Sequence, residues 1–105
     1  MMSYVKSGDK YIAKGAEGLD AVAVENGAEG PDEIPLDRRL ILAVERAEVA
    51  EKLKEKCEVL DVLDFGGEAF VVLAPGPQSV KAAFSTPGVR RVYVERVYRL
   101  YESER

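Results

Sequence analysis

The chain has 105 residues, 47% hydrophobic and 32% charged, with no histidine and a formal net charge of −4. That length suits one domain around a single modest core, and the negative balance argues against a general nucleic-acid or membrane-surface binder. No apolar run reaches the ~18 residues that a membrane-spanning helix needs. Glu, Lys and Arg dominate the charged fraction, a thermophile-like composition. The opening MMSYVKSGDKYIAKG lacks the apolar stretch of a signal peptide, which sets the expectation of a cytoplasmic protein. The single cysteine, Cys57, has no partner for an internal disulfide, in keeping with that compartment.

Charge divides the chain into two parts. Residues 1–36 carry seven acids and three lysines, whereas residues 37–105 carry twelve of each sign. Five of the nine glycines also fall in the first part, which ends in the breaker-rich GAEGPDEIPLD. We therefore expect residues 1–36 to be an N-terminal extension made of a β-hairpin and a linker. The hairpin is SYVK, a turn at Ser7-Gly8-Asp9, then KYIAK, with a further strand at LDAVAVE.

In the second part RRLILAVE (Arg38–Glu45) reads as a short strand covered on both faces. AEVAEKLKEK (Ala47–Lys56) reads as a helix, with Val49, Ala50, Leu53 and Cys57 on one face and Glu48 paired to Lys52. EVLDVLDF, Gly66-Gly67 and EAFVVLA form a predicted hairpin. Its first strand offers Leu60 and Val62 to one face and Val59, Leu63 and Phe65 to the other. Pro77 suits the first turn of a helix whose Val80, Ala83 and Phe84 share a face. Thr86-Pro87-Gly88 ends that helix, and a last strand runs from Val89 to Val97. The order β-α-β-β-α-β over residues 37–105 predicts an α+β fold: a ferredoxin-like split βαββαβ with two helices on one face of a four-stranded antiparallel sheet, plus the N-terminal β extension.

In such a fold one sheet face lacks helices, and strands normally make that face polar. LILAV and FVVLA are instead apolar at every position. The open face is expected to be a sizeable apolar surface, covered by the N-terminal extension, by a second copy or by another protein.

Chemistry-bearing patterns are sparse. Without histidine the commonest general base is missing. Cys57 has no histidine to activate it and lies on an apolar helix face, so a structural role is expected. Asp61 and Asp64 lack calcium-loop spacing, no Cys/His cluster suits zinc, and Gly66-Gly67 serves a turn rather than a phosphate. No enzyme activity, catalytic residue, metal or cofactor is expected. RNA-recognition motifs share the βαββαβ order, but here Glu68 stands near a position where a base should stack, and RLILAVE has no aromatic residue. No nucleic-acid partner is expected.

From Leu40 to Tyr101 the sequence resembles the propeptide-type inhibitor family of subtilisin-like serine proteases. The resemblance rests on the opening apolar strand, on Ala69-Phe70-Val71 after the hairpin turn, and on the short helix closing in Pro87-Gly88-Val89. It implies a binding protein that inhibits or chaperones a subtilisin-like serine protease in trans. The open sheet face would dock on two parallel helices of the enzyme, with Glu95 meeting their positive N-terminal ends. Tyr93 stands where a second acid is often found. Tyr98, Arg99, Leu100 and Tyr101 would form the tail that enters the active-site cleft as an added strand. Glu102 to Arg105 continue beyond that tail, and the N-terminal extension departs from the family pattern. Taken singly, the tyrosines also read as amphipathic surface cover, and Glu95 as a partner of Arg91 across the pleat of the last strand. The alternative function is a self-associating ferredoxin-like module, oligomeric or ligand-binding, with a homodimer formed through the open face.

Overall fold

Two tight hairpins begin the folding logic. Gly8 and Gly66 each take the first central position of a two-residue turn with a positive φ, 66° and 93° respectively. Only glycine adopts that geometry freely, and it matches the twist of the strands it joins. In the computed structural model, which describes residues 2–15 and 18–96, these hairpins belong to two separate four-stranded antiparallel sheets accompanied by two helices.

The N-terminal sheet holds β1 (Ser3–Ser7), β2 (Lys10–Lys14), β3 (Val22–Ala23) and β4 (Glu33–Pro35) in the order β3-β2-β1-β4. The predicted hairpin is present, while the strand expected over LDAVAVE is limited to Val22–Ala23. The stretch expected as a linker contains β4, because Ile34 is fully buried opposite Tyr4. Pro35 does not prevent this pairing. Lys6 donates its amide to Asp32 and Leu36 donates to Met2, so the even-numbered residues of this stretch face β1. Pro35 then takes an outward position, where no amide hydrogen is required.

The second sheet holds β5 (Leu40–Val44), β6 (Val59–Asp64), β7 (Ala69–Leu73) and β8 (Val89–Val94) in the order β6-β7-β5-β8. Helix α1 (Val49–Lys54) links β5 to β6, and α2 (Pro77–Ser85) links β7 to β8. Leu40, Leu42 and Val44 of β5 and Ala69, Val71 and Leu73 of β7 are buried in one core with Val49, Leu53, Val80 and Phe84 from the helices. Alternation then turns Ile41, Ala43, Phe70 and Val72 to the opposite face.

Strand β6 departs from the simple alternation. Val59 pairs with Leu73 and Asp61 with Val72, so Leu60 is the extra residue of a bulge. The bulge places Val59 and Val62 together on the core side and sends Asp61 and Leu63 to the open side, correcting the expected partition. Helix α1 is also shorter than expected, starting at Val49 with Glu48 as its N-cap. Its ion pair joins Glu51 to Lys54 at 3.1 Å instead of Glu48 to Lys52.

The two sheets meet around the end of α2. The Tyr11 ring stacks on Phe84, with centroids 4.7 Å apart. Tyr11 donates its hydroxyl hydrogen to the Pro31 carbonyl at 2.7 Å. The amides of Glu25 and Asn26 both donate to the Phe84 carbonyl, at 2.9 and 3.2 Å. Asn26 Nδ2 donates to the carbonyls of Ala83 (2.8 Å) and Thr86 (2.7 Å), and its Oδ1 accepts the Ala28 amide at 3.0 Å. One side chain thus caps the last turn of α2 and fixes the chain that leads to β4.

That double donation gives a measurable expectation. Asn26→Asp keeps the shape but removes both donated hydrogens, and Asn26→Ala removes the whole bridge. Each should cost about 1–3 kcal/mol in urea unfolding, with Asp no milder than Ala. Wild-type stability in Asn26→Asp would show that the bridge does not hold the two sheets together.

Candidate protein-binding surface

The open face of the second sheet is built from alternate residues of all four strands. Across the ladder Leu63 lies opposite Phe70, Phe70 opposite Ala43, Val72 opposite Ile41, and Ile41 opposite Tyr93. Phe65 adds to the patch from the hairpin turn, meeting Phe70 edge to face with centroids 6.0 Å apart. Phe65 is 68% exposed, Tyr93 45% and Leu63 42%. Large apolar side chains this accessible and this contiguous make this face the candidate interaction surface. Arg91 and Asp61 are the charged members of the same face, set toward its two edges. The N-terminal sheet leaves this face uncovered, since its contacts run to α2 and to the edge of β8.

Tyr93 therefore stands within the apolar face. Glu95 lies just past β8, donates its amide to the Arg39 carbonyl at 2.9 Å, and pairs with the Arg39 guanidinium at 3.6 Å. Arg91 pairs instead with Glu29 at 3.2 Å, so the Glu95–Arg91 pair expected along the last strand is not formed. The reason is register: Arg39 lies directly across from Glu95, while Glu29 is brought alongside Arg91 by the loop before β4. The surface Arg39–Glu95 pair contributes at most about 1 kcal/mol and leaves the carboxylate accessible to a partner. Tyr98, Arg99, Leu100 and Tyr101 lie outside the described residues, as does Val97 at the expected end of the last strand.

Sheet edges form the second part of the surface. On β6 the outward amide of Val62 is taken by the Asp61 carboxylate at 2.8 Å, which blunts that edge together with the Leu60 bulge. On β8, Tyr93 and Glu95 face β5, so Arg90, Val92 and Val94 direct their backbone groups outward. Glu29 pairs with this edge for one rung only: its amide donates to the Arg90 carbonyl at 3.0 Å and its carbonyl accepts the Val92 amide at 2.7 Å. The next rung of a parallel ladder falls to Pro31, which has no amide hydrogen. Its carbonyl is already occupied by Tyr11. Among the described residues nothing pairs with the Val92 carbonyl or with the backbone groups of Val94, which face a groove of about 530 Å³ between β8 and β4. This edge was not singled out from sequence; the alternation of prolines at 31 and 35 around Glu33 was its only local signal.

Cys57 is half-buried beside α1 and donates its thiol hydrogen to the Leu53 carbonyl at 3.5 Å. Burial pushes the thiol pKa up, opposed by a hydrogen bond with Ser79 and by the Lys56 charge. Among the described residues no group of three or more His, Cys, Asp or Glu side chains could hold a metal ion, and no helix is long and apolar enough to cross a membrane. No protein-family model, curated protein or solved structure matches this chain.

Two expectations follow from these placements. In hydrogen–deuterium exchange of the free protein, the Val94 amide should exchange far faster than those of Val92, Tyr93 and Glu95, and equal protection of all four would contradict the edge geometry. Because a raised pKa leaves less thiolate at any given pH, Cys57 should be alkylated by iodoacetamide more slowly than a free cysteine at pH 8, with the gap closing as pH rises. Faster alkylation than the free amino acid would contradict the structural role.

Proposed function

We propose that this chain is a protein-binding module that inhibits or chaperones a subtilisin-like serine protease in trans. The observation that carries the reading is the uncovered apolar face. Ile41, Leu63, Phe65, Phe70, Val72 and Tyr93 lie side by side, while the N-terminal sheet is committed to α2 on the other side. The element order β5-α1-β6-β7-α2-β8 with sheet order β6-β7-β5-β8 supports a ferredoxin-like split βαββαβ unit over residues 37–105. The N-terminal sheet is then an addition that does not obstruct docking.

In this reading the sheet face packs on helices of the enzyme, Glu95 approaches their N-terminal ends, and Tyr98-Arg99-Leu100-Tyr101 enters the cleft. Aromatic anchors desolvated at the centre of such an interface supply most of its affinity. A second reading has a specific observation in its favour: Phe65 and Tyr93 border one continuous patch, which could equally bury itself against a second copy.

Titrating a subtilisin-type protease with the protein, and following hydrolysis of a peptide substrate, tests the reading. Competitive inhibition is expected. It should fall by roughly a hundredfold or more when Tyr98–Arg105 is deleted, and by roughly tenfold or more for Phe65→Asp. Absence of inhibition, together with a dimer in solution that Phe65→Asp disperses, would replace the protease with a second copy.

A further inference from the structure

We propose that the free edge of β8 accepts an extended, carboxylate-bearing peptide segment as an added strand in the groove between β8 and β4. This site adjoins the open face at Arg91 and Tyr93, but its acceptor groups are backbone atoms of the β8 edge and not the side chains of that face.

The acceptor is defined by backbone. Val92 offers a carbonyl, and Val94 offers an amide and a carbonyl, all pointing away from β5 at the end of a ladder that Pro31 cannot extend. An incoming strand would donate one amide to Val92, accept the Val94 amide, and donate its next alternate amide to Val94, the pairing used in β-strand addition. The groove volume of about 530 Å³ lies within the range of ~300–1,000 Å³ typical of ligand sites. Pro31 and Pro35 form its far wall, so the facing β4 edge competes little for the same strand.

Charge selects the occupant. Arg38 and Arg96 line the groove, are exposed, and pair with no carboxylate among the described residues. Of its acids, Glu29 pairs with Arg91 at 3.2 Å, while Glu33 accepts the Ser3 hydroxyl at 2.7 Å and keeps its charge, so the lining holds three arginines against two glutamates. A strand with carboxylates at alternate positions would match the guanidinium groups of Arg38 and Arg96. A second copy fits this edge less well. Because Glu29 holds the Val92 amide, the symmetric antiparallel register that uses both backbone groups of Val94 on itself is the one centred on Val94. That register sets Arg96 of each copy diagonal to Arg90 of the other, like charge beside like.

The test uses the full chain, labelled with nitrogen-15, and an acetylated and amidated hexapeptide of alternating glutamate and valine. Amide shifts are expected at Val92 to Arg96 and at Glu33, with the Val94 amide moving most. The lysine–valine counterpart should bind at least about tenfold more weakly, and Arg38→Glu with Arg96→Glu should reverse that preference. Val94→Pro removes the outward amide without removing a hydrogen bond to β5, and should abolish the response while spectral dispersion is kept. If that variant loses dispersion, the glutamate peptide N-methylated at alternate amides replaces it and should not bind. The proposal is overturned by no shifts at millimolar peptide, by shifts centred on Leu63, Phe65 and Phe70, or by equal responses to both charge types. Concentration-dependent shifts of the β8 edge without peptide would also overturn it, assigning the edge to a second copy.

Discussion

Everything else in this molecule is arranged around Phe84. Its ring is the surface on which Tyr11 of the N-terminal sheet stacks, and its carbonyl receives the amides of Glu25 and Asn26. Gly30 passes so close that a Cβ there would stand 2.8 Å from the Phe84 ring and 2.5 Å from the Tyr11 hydroxyl. The residue is also fully buried in the core between α2 and the second sheet. A single side chain is therefore shared by both halves, and it fixes where the N-terminal sheet can sit. That sheet is tied to the helical side and so leaves the aromatic face opposite uncovered among the described residues.

Edges are handled in a correspondingly uneven way. A carboxylate and a bulge protect β6, prolines protect β4, and the end of α2 occupies the chain just after β3. Each device is of the kind by which β proteins avoid uncontrolled pairing. Against that background the short run on β8 stands out, because among the described residues it is unpaired beyond Glu29 and borders a groove lined by three arginines and two glutamates. Polar protection elsewhere makes the remaining bare features, one face and one edge, the surfaces at which function is most economically placed.

Most of the second half was legible in the sequence because its signals are local. Gly66-Gly67 announces a turn, Pro77 opens a helix, and the apolar runs around Leu42 and Val71 are long enough to identify strands. The open apolar face followed from those same runs. What escaped was set by contacts distant along the chain. Nothing in VLDVL distinguishes a regular strand from one bulged at Leu60; only pairing with Leu73 and Val72 decides it. The glycine- and proline-rich stretch before Arg38 looked like a linker because local propensity dominates such segments. It becomes ordered through Ile34 beneath Tyr4 and through Asn26 reaching residues 57 and 60 positions away. Likewise Glu95 found Arg39 and not Arg91, a choice made by strand order.

The imide at Pro31 has a topological consequence. Glu29 already forms one parallel rung with β8, so the chain entering β4 begins as a neighbour of the second sheet. With an amide at position 31, hydrogen bonding could advance to the Val92 carbonyl and draw the β4 edge toward β8. The two four-stranded sheets would then be on the way to merging into one continuous eight-stranded surface. Proline halts that fusion after a single step. The ladder between the two halves thus ends at the residue that has no amide hydrogen to continue it.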